Sequence, residues 1–275
     1  MRTILLIGCS ILLSGCIGID GMGDSDRYTE DFHYSWDISA NGRVRLENTN
    51  GGVEVMGWDQ NKVDISGTKF GSTEQLRNQV KINIDHQPDF VDIRTSRPAV
   101  TFGGSGARYV IHVPRTAMLD KVETTNGSVR VTGIEGGVRV KSTNGSITAE
   151  HVGGEFDART TNGRVTARID DAGQQPVRVH TTNGSVDLEM ANGPKSDLRV
   201  DTTNGSITAR MPGGITGRLR ADTSTGSVTS DFDFGTQHEH QHGREKHIEG
   251  SIGSGGPTME FSTHNGSIHI QKMNR

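Results

Sequence analysis

One short phrase returns seven times along this chain and limits what the chain can become. Thr124-Thr125-Asn126-Gly127-Ser128-Val129 is followed by Ser142-Thr143-Asn144-Gly145-Ser146-Ile147. The phrase recurs around Asn162, Asn183 and Asn204, in altered form at Thr223-Ser224-Thr225-Gly226-Ser227-Val228, and last around Asn265. The steps from motif to motif are 18, 18, 21, 21 and 21 residues as far as Thr225. A near-fixed period this short signals stacked units, each too small to bury a core alone.

The residues around each motif alternate in character. Four before the Asn stand Val122, Val140, Ala158, Val179, Val200, Ala221 and Phe261; three after stand Val129, Ile147, Val165, Val186, Ile207, Val228 and Ile268. Six before stand Val138, Phe156, Val177, Leu198, Leu219 and Met259, with Asp120 at the same offset in the first unit. Period-two alternation on both arms reads as strand, turn, strand with one apolar face. The intervening Lys121, Glu123, Arg139, Lys141, Arg159, Arg178, His180, Arg199, Asp201, Arg220 and Asp222 are expected to face water. The Thr or Ser two before each Asn has inward parity, so its hydroxyl can pair with backbone groups at the corner.

Two architectures fit this pattern: an antiparallel meander with Asn-Gly hairpins, and a β-solenoid whose equivalent residues stack about 4.8 Å apart. A long meander leaves one greasy face uncovered, whereas a solenoid folds that face onto itself. The expected fold is therefore all-β, a single-stranded β-solenoid (β-helix) of 18–21-residue coils with Asn-Gly turns. The expected turn ladder consists of Asn126-Gly127, Asn144-Gly145, Asn162-Gly163, Asn183-Gly184, Asn204-Gly205 and Asn265-Gly266.

The start of the chain reads differently. Met1-Arg2-Thr3, an apolar run from Ile4 to Leu13, and Leu13-Ser14-Gly15-Cys16 have the form of a secretory signal. Leu-Ser-Gly-Cys resembles the bacterial lipobox, which implies a cut after residue 15 and lipid on Cys16. Of the two cysteines, Cys9 would leave with the signal and Cys16 would be acylated, so neither is left for a disulfide or a metal. The expected organisation is residues 1–15 as signal, 16–35 as lipidated cysteine and tether, and 36–275 as the solenoid domain. Within that domain, 57–113 reads as a non-repetitive β-layer and 247–275 as a cap. The location implied is the cell envelope, and the outer membrane if the source has two membranes. Ser72 to Asn78 reads as one or two helical turns capped by Ser72, and Arg97 to Gly106 as a Gly-rich loop.

Several segments together resemble the bacterial DUF4097-type adhesin family: Val53-Glu54-Val55-Met56-Gly57-Trp58-Asp59, Tyr109-Val110-Ile111-His112-Val113-Pro114, the Thr-Asn-Gly-Ser ladder, and Ile252-Gly253-Ser254-Gly255-Gly256-Pro257 before Asn265. The resemblance implies a β-helical envelope protein and brings no active site with it.

Chemistry is sparse. Net charge is −4 and pI about 6.3, which announces no nucleic-acid surface. His238, His240 and His242 project to one side if extended and are candidate metal ligands, although the segment also reads as a solvated loop. Asp201 and Asp222 share a coil position and could stack side by side, with Arg159 and His180 in the same ladder. No phosphate loop, dinucleotide fingerprint or Gly-x-Ser-x-Gly is present. The reading is a non-catalytic envelope scaffold without cofactor, held to the membrane through Cys16, with envelope polysaccharide or a surface protein as possible partners. The alternatives are a sensor of envelope stress or metal that uses the histidines, and a polysaccharide-acting enzyme.

Overall fold

The computed structural model describes residues 26–97, 104–233, 237–242 and 245–273; for 237–242 and Glu245 it describes the backbone alone. Two long sheets lie back to back. The front sheet has twelve strands and the back sheet eleven among these residues.

One coil shows how the sequence makes them. Phe156–Asn162 lies in the front sheet, turns at Gly163-Arg164, and continues as Val165–Asp171 in the back sheet. Phe156, Ala158 and Thr160 point inward from the first strand; Val165, Ala167 and Ile169 point inward from the second. Each coil hydrogen-bonds in parallel register to the next, so Val138, Phe156, Val177 and Leu198 form one buried row. Val129, Ile147, Val165, Val186 and Ile207 form the facing row. Apolar rows from both sheets meet as one continuous core. That burial is the main favourable contribution, at about 25 cal/mol per Å² of apolar surface. The solenoid expectation holds, and the hairpin meander is excluded by the parallel pairing.

At the first repeat the register slips. Val140 pairs with Val122, but Val138 pairs with Leu119, so a bulge separates the two. Leu119 is fully buried where offset counting put Asp120. The bulge turns Asp120 outward, because a carboxylate in the apolar row would need a partner that is not there.

Sequence order and stacking order differ at both ends. The coil Arg43–Glu47 with Val53–Trp58 stacks directly on Met118–Asn126 with Val129–Thr132. Phe90–Ser96 and Ser105–Pro114 form a further parallel coil outside it. So part of 57–113, expected as a non-repetitive layer, is a coil of the stack. Only Lys62–Gly71 and Lys81–Gln87 run antiparallel there, as flanking strands. At the far end Thr258–Asn265 and Ile268–Met273 insert between Leu198–Asn204 with Ile207–Pro212 and Gly217–Thr225 with Val228–Ser230. Residues 258–273 are therefore an interior coil rather than the expected cap. The end position in the front sheet falls to Glu245–Ile252 and Gln237–His242.

The domain also begins earlier than expected. Tyr28–Asp37 is a strand paired along its whole length with Lys62–Gly71, so residues 28–35 are not tether. Phe32, Tyr34 and Trp36 share one face of it. Phe32 meets Tyr109 edge-on at 5.4 Å, and Trp36 stacks on His86 at 4.8 Å. The helix is Glu74–Gln79, and its cap is Thr73 rather than Ser72, with Thr73 Oγ1 accepting from the Leu76 N–H. Gly106 stands inside a strand, where a Cβ would lie 2.2 Å from the Asn50 carbonyl oxygen. Residues 98–103 of the expected loop lie outside the described residues. No helix among the described residues is long and apolar enough to cross a membrane.

Candidate functional site

The Asn-Gly corner is a single hydrogen-bonded column. Asn144 Nδ2 donates to Asn126 Oδ1, Asn162 to Asn144, Asn183 to Asn162, Asn204 to Asn183 and Asn265 to Asn204, each at 2.8 Å. Asn126 donates in turn to Asn50 Oδ1, and Asn50 to the Ser105 carbonyl. The column ends where Asn is replaced: Thr225 Oγ1 donates to Asn265 Oδ1 at 2.7 Å. Just inside it, Ser142, Thr160, Thr181, Thr202 and Thr263 donate to the carbonyls of Gly127, Gly145, Gly163, Gly184 and Gly205 at 2.9–3.0 Å. The motif glycines serve close stacking. A Cβ on Gly145 would lie 2.0 Å from the Gly127 carbonyl oxygen, and one on Gly163 2.1 Å from that of Gly145. Neither needs a positive φ, in contrast to glycine in an Asn-Gly hairpin. This corner is built for structure.

The outer face of the front sheet is charged. Parallel register sorts its side chains into two rows. One runs Arg139, Asp157, Arg178, Arg199, Glu260 and Arg220; the other runs Glu123, Lys141, Arg159, His180, Asp201, Ser262 and Asp222. Neighbours in a row are about 4.8 Å apart. Arg45 Nε donates to Asp120 at 2.7 Å, and Arg139 bridges Asp120 and Glu155 at 3.3 and 2.6 Å. Arg159 grips Asp157 of its own strand through two bonds at 2.8 Å, and Arg199 takes Asp201 at 2.9 Å. These hydrogen bonds to carboxylates raise Arg139, Arg159, Arg199 and Arg220 further above the ordinary arginine value. Lys121 is raised by its hydrogen bond to Glu47, whose carboxyl is lowered by the same bond. In the central stretch Lys141 has no ion pair among the described residues, and Arg178 reaches Glu155 only at 3.8 Å.

The residues expected to act together fare unevenly. Arg159, His180 and Asp201 do share a row. Asp201 and Asp222 are not neighbours, because the inserted coil places Ser262 between them. Each is held by an arginine two residues earlier on its own strand. The side-by-side pairing of Asp201 with Asp222 expected from the repeat therefore does not form. His238, His240 and His242 lie in the strand Gln237–His242, not a loop, and their side chains are outside the described residues. Cys16 also lies outside them. Trp36 and Trp58 serve packing: Trp36 stacks on His86, and Trp58 stacks on His112 at 5.1 Å while donating to the Lys62 carbonyl at 2.9 Å.

One cluster escaped sequence reasoning. His247 Nδ1 contacts Asp222 Oδ1, and His247 Nε2 stands 3.5 Å from Glu249 Oε2. Glu245-Lys246-His247-Ile248-Glu249 does alternate with an apolar residue inward, a visible strand signal. The antiparallel pairing that brings it to Asp222 has no signature in the repeat period.

Among known proteins, the profile of the Toastrack DUF4097 family matches residues 115–271. No curated protein matches the chain. Solved structures that resemble it include a candidate cell adhesion protein from Clostridium sporogenes, at 12% identity and TM-score 0.39, covering 89% of this chain and 100% of that one. A candidate adhesin from Parabacteroides merdae has 10% identity and TM-score 0.39, with 89% and 97% covered. A candidate lipid binding protein from Parabacteroides distasonis has 10% identity and TM-score 0.34, with 91% and 98% covered. With more than half of its length matched by the profile, from the third coil to the last strand, the chain belongs to the Toastrack DUF4097 family.

Proposed function

We propose that this protein is a non-catalytic envelope lipoprotein, anchored through Cys16, whose front sheet binds acidic polysaccharide. The observation that carries the reading is the pair of outward charge rows. Around Arg139, Lys141, Arg159 and Arg178 they present closely spaced cations, of which Lys141 has no ion pair among the described residues and Arg178 has only a distant one. Each contact with a carboxylated sugar is weak in water. A rigid array that meets many at once gains by avidity. Asp120, Asp157, Asp201 and Asp222 on this face are each held by a guanidinium group, which suits display better than acid–base turnover. The Leu13-Ser14-Gly15-Cys16 sequence supports the anchor, and the residues up to Asp26 would serve as the link.

Two experiments test the parts separately. A fluorescence-anisotropy titration of the protein into labelled polygalacturonate should show binding that fades as salt rises; no binding at low salt removes the ligand class. Acyl labelling in cells should follow Cys16 and vanish with Cys16→Ala, with the protein leaving the membrane fraction; unchanged membrane retention removes the anchor.

A further inference from the structure

We propose that Asn192 is a site of covalent modification, its side-chain amide converting to aspartate and isoaspartate in the folded protein. It belongs to the one Asn-Gly pair of nine whose glycine N–H has no partner among the described residues. This is independent of polysaccharide binding on the front sheet.

Asparagine is thermally labile, and a following glycine opens the easiest route. The glycine nitrogen loses its proton to solvent base and bonds to the asparagine Cγ. The side-chain nitrogen leaves as ammonia. One water then opens the five-membered imide at either carbonyl, giving aspartate or isoaspartate. The attack needs a glycine N–H that is free and a side-chain carbonyl that can turn toward it.

In eight of the nine pairs the glycine nitrogen is committed. Gly127, Gly145, Gly163, Gly184 and Gly205 each donate to the carbonyl of the Asn in the adjoining coil at 2.9–3.1 Å. Gly51 donates to the Asn126 carbonyl at 2.8 Å, Gly266 to that of Thr225 at 2.9 Å, and Gly42 to that of Ser39 at 2.8 Å. Along the column the asparagine side chains are bonded to one another as well.

Asn192-Gly193 differs. It lies in the loop between Val186–Met190 and Leu198–Asn204, across the coil from the column, and Asn192 is exposed. Neither the Gly193 N–H nor Asn192 Oδ1 has a hydrogen-bond partner among the described residues. Only Nδ2 is held, by the Asp170 carbonyl at 2.8 Å. A bulkier residue at 193 would slow the attack, but a Cβ there would lie 2.4 Å from Ile215 Cγ2, so packing keeps the glycine. Asn192 lines the same hollow as Lys195 and Lys272. Conversion takes the donor from the Asp170 carbonyl and puts a carboxylate into that hollow; isoaspartate also lengthens the main chain.

The test incubates the purified protein at mildly alkaline pH, once folded and once in urea. Each Asn-Gly peptide is followed by mass spectrometry, with an isoaspartate-specific methylation assay beside it. The folded protein should convert Asn192 at least about tenfold faster than any of the other eight, because a bonded amide must wait for local opening. In urea the nine should react at comparable rates. Asn192→Gln changes an exposed side chain, so the variant keeps the fold and loses most of the folded-state signal. No conversion at Asn192 in the folded protein, conversion no faster than in the column, or the same lead for Asn192 in urea would each overturn the site.

Discussion

Asn162 donates its side-chain N–H to Asn144 Oδ1 at 2.8 Å, one rung of a column that the Asn of each coil extends by accepting from the next. The rung is solvent-exposed. Its loss lets water replace the partner, so the column sets register more than it adds stability.

Two adjacent substitutions should separate these roles. Asn162→Ala is expected to cost about 1 kcal/mol. Gly163→Ala drives a Cβ to 2.1 Å from the Gly145 carbonyl oxygen and should cost more, about 1–3 kcal/mol or above. Denaturant unfolding of both variants checks the order. Equal costs would mean that the coils part easily at this corner.

Thr181 is fully buried and donates to the Gly163 carbonyl at 3.0 Å. Thr181→Val keeps the shape and removes the donor. The expected loss is about 1–3 kcal/mol, for an acceptor left dry. Thr181→Ser, which keeps the hydroxyl, should lose less. The comparison of the two midpoints reads the hydrogen bond apart from the packing.

The C-terminal coil offers a sharper test of topology. A terminal coil touches only one neighbour, so its removal opens a single edge. Residues 258–273 instead lie between Leu198–Asn204 and Gly217–Thr225. A stop after Pro257 should expose unpaired edges on both sides and lead to aggregation or loss of cooperative unfolding. Circular dichroism and size exclusion of the shortened chain check it. A well-behaved monomer would contradict the insertion.

Acid stability draws on the lowered carboxyls of Glu30, held by a hydrogen bond from Lys69, and of Glu47 and Asp171. Glu47 is lowered from 4.5 chiefly by the Lys121 hydrogen bond, and Asp171 from 3.8 chiefly by the Gly173 N–H with help from Lys195. Both titrate lower folded than unfolded. Their contributions are complete above those ordinary values and are lost as pH falls through the lowered folded ones. Glu47→Gln and Asp171→Asn should flatten the fall of Tm below about pH 4.5, with little change at neutral pH. An unaltered slope in the double variant would show that other groups govern it.

The repeat was legible because stacking demands it. Identical residues at identical coil positions satisfy one another, so Asn, Gly and the preceding Thr are reused wherever a coil sits on a coil. What period counting missed were departures from the repeat. The bulge at Leu119 moves one residue and turns Asp120 from core to surface. The strand Tyr28–Asp37 hides behind a Gly- and Asp-rich beginning, although Phe32, Tyr34 and Trp36 alternate. The insertion of 258–273 cannot be read from spacing, because any coil carrying the same phrase fits any gap in the stack. That insertion separates Asp201 from Asp222. It leaves Gly217–Thr225 to pair on its other side with Glu245–Ile252, which brings Asp222 to His247.

The most direct test of the proposed role compares charge reversal on the two outer faces. Binding of labelled polygalacturonate would be measured for Lys141→Glu/Arg178→Glu on the front sheet and for Arg168→Glu/Arg210→Glu on the back sheet. The account predicts that the front-sheet pair loses at least tenfold in affinity and most of its salt dependence, while the back-sheet pair binds like the unaltered protein. Equal losses from both pairs, or none from the front, would contradict it.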